Sequence, residues 1–294
     1  MPPQSGAKVA AFEYIEPATL DGAFDALQRG GEEAHLLAGG TALVLLMRLG
    51  LVLPSYVVGL RRIEGLREIG ISKEGGLEIG ALVTHAEIER SALVQRFFAP
   101  LAQTFGHIAT VRIRNQATIG GNLVHADPAS DPPPMLIAMD AEILVARRGG
   151  TRTIRAEDFF RDIFDVALEP GEIVTAIRIP PSSPGLLGTY VKFLPASKDD
   201  FATVSVAATV RLDANGGCQD VRLALGSVAS TPLRARRAED ALRGKIMTRE
   251  VIEAAATIVA EDVDPLDDAR GSAGYKREMA RVWTRRALEK LVPG

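Results

Sequence analysis

The sequence predicts an α+β protein in two parts: a first domain of two subdomains, then an antiparallel sheet packed with helices. Three observations carry this. Residues 12–60 alternate strand-like and helix-like stretches in the order β-α-β-α-β. Ser182–Gly188, rich in Ser, Pro and Gly, punctuates the chain between two apolar regions and reads as a linker. Beyond it, three strand-like runs precede three helix-like runs, the order expected of a sheet layered with helices. The expected divisions are 1–181, made of subdomains 1–60 and 61–181, and 189–294.

Taken in order, Phe12–Tyr14 opens a strand. Thr19 N-caps a helix with Ala23, Phe24 and Leu27 at helical spacing, and Gly30–Gly31 ends it. His35–Leu37 reads as a buried strand, Ala38–Thr41 as a glycine loop, and Ala42–Leu49 as a helix with its positive dipole end on that loop. Tyr56–Leu60 is the next strand. Ile69–Ile71 and Leu77–Gly80 make a hairpin around Gly75–Gly76. Thr84–Ser91 is a short helix with His85, Glu87 and Glu89 exposed, and Leu93–Gly106 is helical with a break at Pro100. Ala117–Asn122 carries a second glycine loop. Pro132–Pro134 start a helix, and Ala141–Arg147 and Thr151–Ile154 flank the turn Gly149–Gly150. Phe159–Phe164 is short and helical; Glu172–Ile179 is a strand stopped by Pro180–Pro181. In the last part Thr189–Leu194, Ala202–Leu212 and Cys218–Val228 are strands, with a turn at Asn215–Gly217. Arg234–Arg243, Thr248–Val259 and Gly274–Leu291 are helices.

Composition narrows the function. The chain has 294 residues, 47% of them hydrophobic, and a net charge of −3, which argues against nucleic acid or an anionic membrane as partner. Its single cysteine, Cys218, excludes an internal disulfide and an iron–sulfur cluster held on cysteines alone, and fits a reducing, cytoplasmic setting. Met1–Glu13 has no signal-peptide pattern. Leu36–Leu53 is apolar, but Gly39, Gly40, Gly50 and Arg48 interrupt it, so a buried strand, turn and helix replace a membrane span. The histidines His35, His85, His107 and His125 are scattered without metal-ligand spacing. Gly244–Lys245 lacks the upstream glycine of a phosphate loop, where Glu239 stands, and Ser227 is not in a nucleophile elbow. No catalytic acid or base and no metal site emerge.

The chemistry therefore centres on the two glycine stretches, Leu37–Ala38–Gly39–Gly40–Thr41 and Thr118–Ile119–Gly120–Gly121–Asn122. Adjacent glycines let several backbone N–H groups point one way as an anion nest. Two such stretches, each with a threonine, suit one elongated anionic ligand held at two points.

With Ile113–Asn122 and its tail Leu123–Val124–His125–Ala126–Asp127–Pro128–Ala129–Ser130–Asp131, these stretches resemble the FAD-binding (medium) subunit of molybdenum hydroxylases, the carbon monoxide dehydrogenase and xanthine dehydrogenase family. Further matches follow in order: Gly80–Ala81, Thr84–Glu87, Pro170–Ile173, Tyr190–Phe193, Asp200–Ala202, Gly226 and Ser230–Ala235. The resemblance covers nearly the whole chain. It implies an FAD-binding domain of the vanillyl-alcohol-oxidase type followed by a C-terminal flavoprotein domain, with non-covalent FAD between them. It also implies cofactor contacts at Leu37, Ala38, Gly39, Gly40, Thr41 and Ala42, then Thr118, Ile119, Gly120, Gly121, Asn122 and His125. Around the flavin it places Ile108, Asp131, Val174, Tyr190 and Lys192. Asp131 suits acceptance from a ribitol, ribose or ring N–H, Lys192 suits charge compensation of a reduced flavin, and Tyr190 suits covering the isoalloxazine.

The implied partners are a large subunit with the molybdenum cofactor and a small subunit with 2Fe-2S clusters, in a dimer of heterotrimers. Expected contact segments are Thr110–Asn115 and Gly271–Arg286. The chain departs from the family at Ala42 and at Ala196–Ser197. The expected function is passage of electrons from iron–sulfur clusters through FAD to an external acceptor. The rivals are a stand-alone FAD-dependent oxidoreductase and a non-redox scaffold that has lost FAD.

Overall fold

The computed structural model describes residues 11–195, 197 and 199–292. Most of the Met1–Glu13 stretch and the departure at Ala196 lie outside them.

The first subdomain holds β1 (Glu13–Ile15), α1 (Leu20–Gly30), β2 (Ala34–Leu37), α2 (Leu43–Arg48) and β3 (Tyr56–Gly59). Its strands form a parallel sheet in the order β1-β3-β2. Thr19 Oγ1 accepts from Gly22 N and Gly31, at φ +55°, closes α1, whose Ala23 and Phe24 are buried against Val58 and Leu60.

The second subdomain holds β4 (Ile69–Ile71), β5 (Leu77–Gly80), α3 (His85–Arg90), α4 (Ala92–Phe97), α5 (Ala99–Gly106), α6 (Val111–Arg114), α7 (Ile119–His125) and α8 (Pro132–Ala138). It continues with β6 (Glu142–Arg147), β7 (Gly150–Arg155), β8 (Phe160–Asp162), β9 (Asp165–Val166) and β10 (Ile173–Ile179). Five strands pair in the order β4-β5-β10-β6-β7.

Three local readings change. The break between α4 and α5 falls at Phe98, because a proline is tolerated in the first turn of α5. Phe159–Phe164 is not helical: a short 3-10 turn ends at Asp158 and β8 hairpins onto β9, with Phe159 fully buried. His85 is buried rather than exposed, its ring centroid 5.2 Å from that of Phe105.

The C-terminal part holds β11 (Leu186–Phe193), β12 (Val204–Leu212), β13 (Cys218–Gly226), β14 (Leu233–Arg234), α9 (Arg236–Leu242), α10 (Arg249–Asp262) and α11 (Ala273–Glu289). The strands pair antiparallel in chain order. β11 begins at Leu186, inside the stretch expected as linker. This sheet is covered on both faces, which is why β12 is buried without a break from Val204 to Val210. Tyr190, Ala207 and Ala224 join the core of the second subdomain, while Val191, Val206, Ala208 and Leu223 face α9–α11. α8, buried along its whole length, is the wedge between the parts; Thr209 Oγ1 donates to Ala138 O at 3.0 Å. A charged seam reinforces it. Arg234 pairs with Asp140, Glu157 and Glu239, at 3.1, 3.4 and 3.0 Å.

Candidate functional site

β2 ends at Leu37, paired with Gly59, and the chain then turns through Ala38–Ala42 before α2. Gly40 sits at φ +75°, left-handed backbone that glycine adopts without strain. Gly39 is needed for a different reason: a Cβ there would lie 2.2 Å from Gln116 O. Gln116 Nε2 in turn donates to Gly39 O at 3.0 Å. The two glycine stretches, far apart in sequence, are thus locked edge to edge. The N–H groups of Gly39, Gly40, Thr41 and Ala42 donate to no acceptor among the described residues. They border a cleft of about 370 Å³ shared with Tyr14, Arg61 and Gln116. Consecutive unpaired amides around a positive-φ glycine are the makings of an anion nest.

The second stretch is built otherwise. Gly120 and Gly121 lie in the first turn of α7, not in a loop, with Thr118 as N-cap. Its amides are already used. Ile119 N donates to Val83 O at 3.0 Å, Gly120 N to Ala81 O at 2.9 Å, Gly121 N to Thr118 Oγ1 at 3.2 Å and Asn122 N to Thr118 O at 2.9 Å. A Cβ on Gly120 would meet Ala81, 2.7 Å from its Cβ, so this glycine serves close packing. What α7 offers a ligand is Asn122: its Nδ2 donates to Ser130 Oγ at 3.3 Å, while its buried Oδ1 has no partner. Both α2 and α7 are too short to contribute much macrodipole, so the expected dipole effect gives way to discrete donors and acceptors.

Asp131, Tyr190 and Lys192 meet where α8 abuts β11. Tyr190 and Lys192, two apart on one strand face, both reach the Asp131 carboxylate. Tyr190 Oη donates to Oδ1 at 2.5 Å and Lys192 Nζ to Oδ2 at 2.8 Å; Nζ also donates to His107 O at 3.0 Å. Asp131 is 4% exposed and the Lys192 side chain 3%. Burial pushes the Asp131 carboxyl above its ordinary range, while the Lys192 ammonium and the Tyr190 hydroxyl pull it back. Burial, then the charge of Asp131, hold the Tyr190 hydroxyl well above its ordinary value. The His107 ring, 6.1 Å from that of Tyr190, is driven down by burial.

Asp131 thus accepts from a protein donor on each oxygen and Tyr190 donates its hydroxyl within the protein, contacts that the sequence reading did not foresee. Ser205 Oγ and Ser227 Oγ are buried near this seam without partners, and Ser227 holds a strained φ of +64°. Ile108 and Val174 are buried in the same core as Tyr190. His125, at the end of α7, packs its ring 5.2 Å from that of Phe164.

The expected contact segments are also partly spent. Arg114 pairs with Glu89 at 2.9 Å and donates to the carbonyls of Ile108 and Ala109. Lys276 is buried against Asp268, and Arg281 and Arg285 pair with Glu253. Arg112 remains exposed. Sequence reasoning missed Tyr14, Arg61, Gln116 and His107. Gln116 alone carried a signal, lying two residues before Thr118.

Comparison with known proteins identifies the family. Residues 10–182 match the FAD binding domain in molybdopterin dehydrogenase, and residues 189–291 the CO dehydrogenase flavoprotein C-terminal domain. The chain is 35% identical to the carbon monoxide dehydrogenase medium chain of Hydrogenophaga pseudoflava, covering 94% of this chain and 96% of that one. It is 32% identical to the glyceraldehyde dehydrogenase medium chain of Sulfolobus acidocaldarius, covering 95% and 98%. Among solved structures, carbon monoxide dehydrogenase from Hydrogenophaga pseudoflava superposes with a TM-score of 0.92 at 35% identity, covering 96% of this chain and 99% of that one. Quinoline 2-oxidoreductase from Pseudomonas putida 86 gives 0.91 at 32% identity, covering 97% and 98%. Among the described residues no helix is long and apolar enough to cross a membrane. By both its halves, the chain belongs to the family of FAD-binding medium subunits of the molybdopterin dehydrogenases.

Proposed function

We propose that this chain is the FAD-carrying electron-transfer subunit of a multi-subunit molybdenum hydroxylase, with FAD held non-covalently across the two glycine stretches. One observation carries the placement: four consecutive loop amides, Gly39 to Ala42, without an acceptor among the described residues. They fit a diphosphate, and the unpartnered Asn122 Oδ1 fits a donor on the same ligand. Bound there, FAD supplies the redox chemistry, accepting electrons from partner subunits and yielding them to an external acceptor. The protein's residues hold and tune. Leu37–Ala42 and Thr118–Asn122 form the diphosphate wall, Gln116 ties them together, and Lys192 sets a fixed positive charge at the seam. Asp131 and Tyr190 position Lys192. Ile108, Val174 and His125 belong to the surrounding wall. No acid or base on this chain is required.

In this reading residues 1–181 bind FAD, 189–294 close over it, and the complex is cytoplasmic. The partners are a large subunit with the molybdenum cofactor and a small subunit with 2Fe-2S clusters, assembled as a dimer of heterotrimers. Co-purification from the native host tests this. The complex should contain molybdenum, iron and FAD, and its substrate should bleach the flavin, whereas the lone chain's flavin should stay oxidised. Rapid bleaching in the lone chain would favour the stand-alone oxidoreductase.

A further inference from the structure

The seam between the second subdomain and the C-terminal sheet carries a row of buried hydroxyls. Thr203 and Ser205 are each 1% exposed, and their hydroxyls have no hydrogen-bond partner among the described residues. Buried polar groups are nearly always paired, so two such hydroxyls in a row mark a place for water. Ser205 stands across from Lys192 on one side and from Gly226 on the other, so the three share one face of the sheet. Thr203, two residues earlier, continues that face, and its N–H donates to Phe193 O at 2.8 Å. Gly226 leaves the room, since a Cβ there would lie 2.7 Å from Ser205 Oγ.

The row has an outer and an inner end. Outside, Asp200 and Phe201 are exposed. Inside, Ser205 lies near the Tyr190 hydroxyl: burial and then the charge of Asp131 raise that hydroxyl's pKa, and the Ser205 hydroxyl opposes them. Tyr190 in turn donates to Asp131, which holds Lys192. Residues two apart on a strand stand about 7 Å apart, a gap that bridging water spans. Hydroxyls linked in this way pass a proton without storing one, because each both donates and accepts.

We infer that Thr203 and Ser205 form the proton entry to the flavin, carrying protons from the surface at Asp200–Phe201 to the seam at Tyr190 and Lys192. The inference rests on the FAD-binding reading above and deepens it. In that reading the partner's iron–sulfur clusters deliver electrons alone. Full reduction of FAD takes two electrons and two protons, one of them at N5, so the protons come from solvent. Solvent has no direct access to the seam, where Asp131 is 4% exposed and the Lys192 side chain 3%. On reoxidation by an acceptor that takes electrons alone, both protons return along the same row. Neither hydroxyl ionises, so the chain still needs no acid or base of its own.

The test uses the full chain loaded with FAD and reduced methyl viologen, which gives up one electron and no proton. Stopped-flow absorbance follows flavin bleaching, and phenol red in weak buffer follows proton uptake, in light and heavy water. In Ser205→Ala and in Thr203→Val, bleaching and proton uptake should slow together by about tenfold or more. Their solvent isotope effect should rise above that of wild type, with FAD affinity and flavin potential unchanged. Ser205→Thr and Thr203→Ser keep a hydroxyl and should keep wild-type rates. Wild-type rates in either hydroxyl-free variant would overturn the relay while leaving the FAD reading intact. Slowing that the hydroxyl-keeping variants share, or that comes with a shifted potential or weakened FAD, would mark a structural role and overturn it too. A wild-type chain that takes up no FAD would overturn both.

Discussion

Replacing Asp131 by alanine isolates the buried seam. In the native chain the carboxylate is 4% exposed and satisfies Lys192 at 2.8 Å and Tyr190 at 2.5 Å. Without it, Lys192 keeps only its bond to His107 O among these contacts, its side chain 3% exposed, and the Tyr190 hydroxyl loses its acceptor. Stranding one member of a buried ion pair costs about 3–5 kcal/mol. At about 2–4 °C per kcal/mol for a domain of this size, the melting temperature should fall by roughly 6–20 °C. A cycle with Lys192→Met and the double variant Asp131→Ala/Lys192→Met isolates the coupling of the pair. The double replacement removes both charges together, so it should be less destabilised than either single variant, with a coupling of at least about 2 kcal/mol. Thermal and urea unfolding of the flavin-free full chain, followed by circular dichroism, reads all four proteins. Asp131→Ala within about 1 kcal/mol of wild type, or costs that simply add in the double variant, would refute the reasoning.

Gly39→Ala should weaken FAD binding about tenfold or more, because its Cβ would intrude to 2.2 Å from Gln116 O and pry the two glycine stretches apart; isothermal titration with FAD measures this. His85 is 1% exposed, and burial, followed by the charge of Arg114, pushes its pKa down to about 3. A depressed histidine contributes stability above its unfolded pKa of about 6.5 and loses it as pH falls towards the folded value. Unfolding free energy should therefore drop by about 3 kcal/mol between pH 7 and 4 through this residue, and His85→Gln should flatten that part of the profile. Arg234→Met takes one of two arginines from Glu239, which is fully buried and keeps Arg243 and the Leu223 N–H, and removes one of the arginines that tie Asp140 and Glu157 to the C-terminal part. It should lower stability by about 1.5–3 kcal/mol, the loss of charged hydrogen bonds among groups that keep other partners, measured by urea unfolding.

Elements set by local chemistry were legible in the sequence. Thr19 and Gly31 bracket α1 as their capping chemistry requires, and Gly149–Gly150 and Asn215–Gly217 turn the hairpins expected of them. The errors arose where tertiary contacts decide. His85 sits on a helix face that looked polar, but α5 covers it through Phe105. Phe159–Phe164 pairs as a hairpin because Phe159 must be buried. Gly120–Gly121 looked like a loop because adjacent glycines break helices on average; here Ala81 packs so closely that Gly120 can have no side chain. A Gly120→Val change would therefore act by disrupting α7 packing, not by covering free amides. The Asp131–Tyr190–Lys192 triad joins residues about sixty positions apart in sequence. Its three members were each legible, but not their bonds to one another. Tyr14 and Arg61 carried no local signal, since their place beside the cleft follows from the missing side chain at Gly59, where a Cβ would meet the Tyr14 hydroxyl.

The most direct test of the central claim is a flavin titration of the purified full chain. The chain should take up one FAD, turn yellow with quenched flavin fluorescence, and release all of it on acid precipitation, as expected for a ligand held by the Gly39–Ala42 amides without a covalent bond. A folded, colourless chain that leaves added FAD free in solution would contradict the claim, and flavin that stays with the acid-precipitated protein would contradict its non-covalent part.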